Sequence, residues 1–275
     1  MEIRRSEKAG IHITSIKGQD LPIEAEKNVA GVAGLAILKA HNSQLGFEIR
    51  IEKNIKPGSG IGSSAASAAG TVAGINYLLG NPFTNKELIP FAMEGERLAC
   101  GSAHADNVAP ALLGGFTLVR DTNPLDICAL PTPLELVATV IHPKIEVKTA
   151  DARAVLKKRV TLEKAISQWG NVGALVSSLY EEDYDLLSRS LIDGIVEPTR
   201  AILIPHFSEL KAACKEAGAL GSGISGSGPS VFALSRGMPA ANTVAKAMQS
   251  VLEKTNIPFD IHVSPVKKTG VSFIE

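Results

Sequence analysis

The sequence predicts a fold of mixed helices and strands built as two domains, and three observations predict it. Phe47, Ile49 and Ile51 alternate with Glu48, Arg50 and Glu52, the period-two pattern of a strand with one buried face. That strand runs into IKPGSGIGSSAASAA, Ile55 to Ala69, where a glycine-punctuated loop opens an alanine-rich helix. Finally, Asp121 to Pro133 is polar and proline-bearing and falls near the middle of 275 residues, a length that suits one large domain or two ordinary ones. The domains are expected at 1–130 and 131–275.

Taken in order, Glu2 to Arg4 and Ile11 to Ile16 read as short strands that give way to a polar turn around Gly18 and Asp20. A helix is expected from Ala25 to Lys39, with Val29, Val32, Ala33, Ala36 and Ile37 on one side. After the strand and the glycine loop, Ser64 to Leu79 carries Val72, Ile75 and Leu78 at helical spacing, and its small residues suit close packing on a sheet. Gly80, Asn81 and Pro82 end it. An amphipathic helix follows from Asn85 to Cys100, then a polar loop with His104, Asp106, Asn107 and Pro110, then a strand from Gly115 to Arg120.

Beyond the boundary, Leu136 to Ile141 is an apolar strand. Helices are expected at Thr149 to Lys157, Leu162 to Leu179, Tyr184 to Leu191, Phe207 to Ala217 and Met238 to Leu252, with Arg200 in a loop. The second glycine cluster, GSGISGSGPS from Gly221 to Ser230, lies between strand-like pieces and reads as a tight hairpin. Phe259 to Val263 and the terminal VSFIE read as strands.

Composition narrows the function. Lys plus Arg equals Asp plus Glu at 28 each, so no global field recruits nucleic acid or an acidic membrane, and aromatic residues are few. Cys100, Cys128 and Cys214 are far apart and form no CxxC pair, which argues against a disulfide framework or a zinc site and fits a reducing cytoplasm. No apolar run approaches the ~20 residues of a membrane span, and the start MEIRRSEKAG lacks the core of a signal peptide. A soluble chain with small-molecule partners is expected.

The loop carries the chemistry. Gly58, Gly60 and Gly62 permit positive φ, and Ser63 and Ser64 stand where a helix N-cap would be. Backbone N–H groups converging there, with the positive end of the helix dipole behind them, make an anion site suited to phosphate. The loop lacks the Gly-Lys-Ser/Thr of a Walker A motif and the third glycine of a dinucleotide fingerprint. Taken alone, it reads equally as a flexible entry to a helix. Glu94 and Glu96 are solvated helix residues or, if their helix faces the loop, Mg2+ ligands. His104, Asp106 and Asn107 line a site or form an Asx turn.

Three motifs stand in order, PGSGIGSSAAS, HADNVAPALLGGF and GISGSGPSVFAL, and together they resemble the GHMP kinases. The second motif and EPTRAILIPHF, Glu197 to Phe207, are similar to the homoserine kinases within that group. The resemblance covers Asn28 to Glu275. It implies an α+β fold of two domains, the first with a left-handed βαβ crossover of the ribosomal S5 domain 2-like type, the second ferredoxin-like. It also implies ATP-dependent phosphorylation of the hydroxyl of L-homoserine, on the route to threonine, by a homodimer. In this family's pattern Pro57, Gly58, Ser59, Gly60, Ile61, Gly62, Ser63 and Ser64 cradle the triphosphate, Ser64 and Glu96 contact Mg2+, and Asn28 lies near the adenine. His104, Asp106, Asn107, Arg153 and Arg200 surround the amino-acid substrate. The arginines suit its carboxylate, and Asp106 suits substrate positioning and proton acceptance.

The family's usual opening, Pro-Ala-Thr/Ser-x-Ala-Asn-x-x-x-Gly-Phe-Asp, is missing. The chain is therefore expected to begin about thirty residues late and, with a sheet edge exposed, to bind ATP weakly and turn over poorly as written. The alternatives are another GHMP activity of the mevalonate type, a nucleotide-binding short form without turnover, and a serine acyl-transfer enzyme. The last rests on Ser208-x-x-Lys211 and Lys268-Thr269-Gly270, but no Ser-Asp-Asn lies between them.

Overall fold

The computed structural model describes residues 1–101, 103–145, 147, 152 and 155–274. The chain divides into two compact units. One holds Met1–Pro57, Gly62–Ala129 and Lys267–Glu275, and the other holds Gly58–Ile61 and Leu130–Val266.

In the first unit, β1 (Glu2–Ser6), β2 (Gly10–Lys17) and β3 (Gly46–Glu52) form a sheet in the order β1-β3-β2. β2 and β3 are parallel and β1 is antiparallel to β3, so α1 (Val29–Ala40) is the crossover of a βαβ unit. The alternation read in β3 is real: Phe47, Ile49 and Ile51 are buried and Arg50 and Glu52 exposed. They meet Ala30, Ala33 and Ile37 of α1 and Ala65, Ala68, Val72 and Ile75 of α2 (Ser63–Leu78) in one core.

α2 packs against α1 and α3 (Asn85–Cys100) and on the sheet, where a Cβ on Gly74 would fall 2.6 Å from Ile3 Cδ1 of β1. Small residues also let the three helices approach one another: a Cβ on Gly95 of α3 would fall 2.5 Å from the Val29 carbonyl oxygen and 3.1 Å from the Ala68 Cβ. α4 (Val108–Leu113) and a hairpin of β4 (Phe116–Thr122) with β5 (Leu125–Leu130) complete the run.

The second unit is a four-stranded antiparallel sheet in the order β7-β8-β6-β9, from β6 (Leu136–Pro143), β7 (Gly221–Ile224), β8 (Val231–Arg236) and β9 (Phe259–Pro265). Between β6 and β7 run α5 (Leu162–Glu181), α6 (Tyr184–Ser190), α7 (Glu197–Arg200) and α8 (Phe207–Glu216), and α9 (Gly237–Leu252) joins β8 to β9. The order β-α-β-β-α-β is the split βαβ arrangement of ferredoxin-like folds. Its core is Ile141, Phe207, Leu210, Cys214, Val231, Ala233, Val244 and Met248.

Several expectations need correction. The helix expected from Ala25 is a 3-10 turn, Ala25–Lys27, after which Asn28 breaks to extended backbone and caps α1. α2 begins one residue earlier than read, and its N-cap is Gly62 at φ 72°, not a serine. The stretch Asp121 to Pro133 holds β5, and within it the chain passes from the first unit to the second between Ala129 and Leu130, while Lys267–Glu275 returns to the first unit. Arg200 ends a short helix instead of lying in a loop. The terminal VSFIE is not a strand over its described residues; Val271 N–H donates to the Ala111 carbonyl and Phe273 stacks on Tyr77. Of the helix expected at Thr149 to Lys157, residues 149–151 and 153–154, Arg153 among them, lie outside the described residues, and 155–157 are not helical.

Candidate active site

In the first unit the site is built on the mouth of α2. Gly62 offers no side-chain cap, so the N–H groups of the first turn point out of the helix with the dipole behind them. Ser64 is at the second helical position, with its hydroxyl near enough to Glu96 of α3 to influence its carboxyl. Glu96 is 5% exposed and its Oε1 has no hydrogen-bond partner among the described residues. Burial, the largest cause, pushes its carboxyl above the usual range, Ser64 draws it down, Asp106 raises it, and His104 and Lys53 lower it. Ser64, His104, Asp106 and Lys53 are therefore all within electrostatic reach of Glu96. Asn107 joins them: its Oδ1 is 3.4 Å from where a Cβ on Gly62 would lie, and its N–H donates to Asp106 Oδ1 at 3.0 Å.

Lys53 escaped the reading of the sequence. Its ammonium donates to the Ser63 carbonyl at 2.8 Å and to Ser67 Oγ at 2.7 Å, and it is 7% exposed. Burial lowers its pKa and the Glu96 charge raises it. The signal was present: Phe47, Ile49 and Ile51 set an inward register, and two residues on the same register reaches Lys53, whose N–H still pairs with the Lys17 carbonyl. A lysine on the inward side of a buried strand needs a partner, and here it balances Glu96.

Two serines of the loop turn away from any ligand. Ser63 Oγ donates to the Ile55 carbonyl at 2.6 Å, and Ser59, 2% exposed, accepts from Ile61 N–H at 3.4 Å. Their place in the loop is through backbone only. Pro57 and Gly58 are exposed, while Gly60, Ile61, Gly62 and Ser64 are half-buried. Asn28 spends its amide on structure, accepting from Ala30 N–H at 2.9 Å and donating to the Pro22 carbonyl at 2.7 Å.

In the second unit, Gly58–Ile61 rests on the turn between β7 and β8, the second glycine cluster. Ser225 Oγ donates to the Gly60 carbonyl at 2.8 Å, and Ser230 Oγ donates to the Ser59 carbonyl at 2.6 Å. Gly60 has φ 80°, and a Cβ there would fall 2.4 Å from the Ser225 carbonyl oxygen. His142 Nδ1 is 3.1 Å from Ser230 Oγ; since that hydroxyl's proton goes to Ser59, the ring nitrogen is the donor. The hairpin expected from the sequence therefore also braces the glycine segment Gly58–Ile61. Arg200 donates to the Ala152 carbonyl at 3.0 Å and the Gly226 carbonyl at 3.1 Å, two of its five N–H donors.

Among the described residues no helix is long and apolar enough to cross a membrane, and no group of three or more His, Cys, Asp or Glu side chains could hold a metal by itself. A cation held by one carboxylate, one hydroxyl and substrate phosphates, the usual manner of Mg2+, requires no such group.

The family model for the N-terminal domain of GHMP kinases matches residues 27–115, and that for the C-terminal part of GHMP kinases matches 163–254. The chain is 50% identical over 260 residues to a homoserine kinase of Chloroherpeton thalassium, covering 92% of this chain and 82% of that one. It is 47% identical to the homoserine kinase of Chlorobaculum tepidum, over 98% of this chain and 86% of the relative. The crystal structure of homoserine kinase from Cytophaga hutchinsonii superposes with a TM-score of 0.94 at 52% identity, over 98% and 86% of the two chains. The L. major mevalonate kinase shares the fold at 17% identity, with a TM-score of 0.68 over 96% of this chain and 85% of that one. The sequence motifs, the fold and these likenesses agree: the chain belongs to the GHMP kinase family, among its homoserine kinases.

Proposed function

We propose that this enzyme transfers the γ-phosphoryl group of ATP to the side-chain hydroxyl of L-homoserine, giving O-phospho-L-homoserine and ADP, as a step toward threonine. The observation that carries the reading is the uncapped mouth of α2 beside a buried carboxylate with an orphaned oxygen. Backbone donors receive phosphate oxygens, and Glu96 Oε1 has no hydrogen-bond partner among the described residues.

The residues fit Mg2+. A buried carboxylate oxygen left unbonded is costly unless a cation or donor meets it, and Ser64 brings a hydroxyl to the same place. Glu96 and Ser64 would hold the ion, which neutralises charge on the transferring phosphate. The protein's own part is alignment. The transition state of phosphoryl transfer is loose, so holding acceptor and phosphate in line carries much of the rate. Gly58 to Ser64 grip the phosphates. Asp106 and Asn107 hold the ammonium and hydroxyl of the amino acid, with His104 beside them, and Asp106 takes the hydroxyl proton as the new P–O bond forms. Arg200 and Arg153 clamp the carboxylate, and Asn28 orders the backbone near the adenine. Cys128 and Cys214 are free thiols, which suits a cytoplasmic enzyme.

A coupled assay of ADP release against a panel of alcohols tests the substrate. L-homoserine should support turnover and mevalonate should not, since mevalonate has no ammonium group for Asp106 and Asn107. Turnover of mevalonate without turnover of homoserine would replace this reading with the mevalonate type.

A further inference from the structure

We propose that the outward face of α5 is a self-association surface, on which two copies of this chain pair as antiparallel helices about a two-fold axis near Gly173. The homodimer implied by the family resemblance thereby gains a surface.

α5 has two apolar faces. The inner one buries Ser178 and Leu179 in the second unit. The outer one leaves Leu162 68%, Ile166 56%, Trp169 65%, Val172 42% and Tyr180 63% exposed. Single apolar residues at a surface are ordinary, but a continuous stripe on one helix marks a contact. The stripe has a register. Leu162, Ile166, Trp169, Gly173, Val176 and Tyr180 follow in steps of four, three, four, three and four, the spacing of a coiled-coil seam.

The seam is nearly symmetric about Gly173. In an antiparallel pair Ile166 of one copy meets Tyr180 of the other, and Trp169 meets Val176. At the axis Gly170 and Gly173 leave the ridge open, since a Cβ on either would meet nothing within 4 Å, which gives room for Trp169 of the second copy.

Charge selects the occupant and its direction. Exposed Lys157, Lys158 and Arg159 precede the helix, and Glu181, Glu182 and Asp185, also exposed, follow its end. A second copy in antiparallel orientation sets the basic run of each against the acidic run of the other. A parallel pair would set like against like. At 1.5 Å per residue the stripe is about 27 Å long, so the pair buries on the order of 1,000 Å² in total, at the lower limit of a specific interface. The dimer is therefore expected to be concentration-dependent.

Sedimentation of the intact chain over a concentration series tests this. The wild type should pass from monomer to dimer, and because Trp169 is the only tryptophan, its emission should shift to the blue in step. Ile166→Glu should weaken association by about 100-fold or more with the melting temperature of the monomer unchanged. Reversing the basic run (Lys157→Glu, Lys158→Glu, Arg159→Glu) should also weaken it, and reversing the acidic run as well (Glu181→Lys, Glu182→Lys, Asp185→Lys) should restore it. A chain that stays monomeric throughout, or a dimer indifferent to Ile166→Glu, would overturn the proposal. So would failure of the double reversal to recover association when each single reversal weakens it.

Discussion

At Glu96, burial and function pull one side chain in opposite directions. Burial disfavours its charged form, while a cation site requires that form. Glu96→Gln keeps the shape and removes the charge. Expected is a fall in kcat of about 100-fold or more, with a melting temperature equal to or above that of the wild type, because a buried charge costs stability. Steady-state kinetics and a thermal melt on the same sample check both halves. Cys214 is a different buried group. Its thiol is pushed up to about 11 by burial, so at pH 8 it is almost wholly protonated and inert. Alkylation of the native protein at pH 8 should spare Cys214, and alkylation after denaturation should label it, as read by peptide mass.

Among elements, the turn between β7 and β8 and the tip of the phosphate loop act together through Ser225 and Ser230. Gly60→Ala places a Cβ against the Ser225 carbonyl and forces alanine to positive φ. The left-handed backbone alone costs about 1–2 kcal/mol, and the clash adds to it. A lower melting temperature and a raised KM for ATP are expected. Gly95→Ala sets two effects against each other. Alanine gains about 1 kcal/mol in helix propensity. Its methyl, however, would lie 2.5 Å from the Val29 carbonyl oxygen, and overpacking costs about 1–3 kcal/mol. Since that neighbour is backbone and cannot rotate aside, the loss wins. The variant should melt lower and, as α3 also carries Glu96, lose activity.

For the whole molecule, ligand binding should appear as stability. A ligand at about one hundred times its Kd adds about 2.7 kcal/mol. For a protein of this size that raises Tm by about 5 °C or more. ATP with Mg2+ should give such a shift in a thermal melt, and most of it should be lost in Glu96→Gln, whose apo melt gives the baseline. Only a shift that depends on Glu96 supports a cation at that carboxylate.

The local pattern of the chain determined the elements and their chemistry. Alternation located β3, glycine and alanine spacing located the glycine loop and α2, and three ordered motifs fixed the family. Tertiary structure decided which polar groups each side chain meets. Ser63 and Ser64 are neighbours of one type in the sequence, yet Ser63 turns to Ile55 and Ser64 to Glu96, because successive side chains of a helix point about 100° apart. Lys53 is one more charge at a strand's end until Glu96, from a helix far along the chain, is folded against it. The second glycine cluster reads as a turn, and its bracing of Ser59 and Gly60 exists only because folding brings it to a loop that lies 171 and 165 residues earlier in the chain. Local propensity depends on near neighbours, which a sequence displays; a buried polar group is satisfied by whatever the fold brings beside it, which a sequence does not.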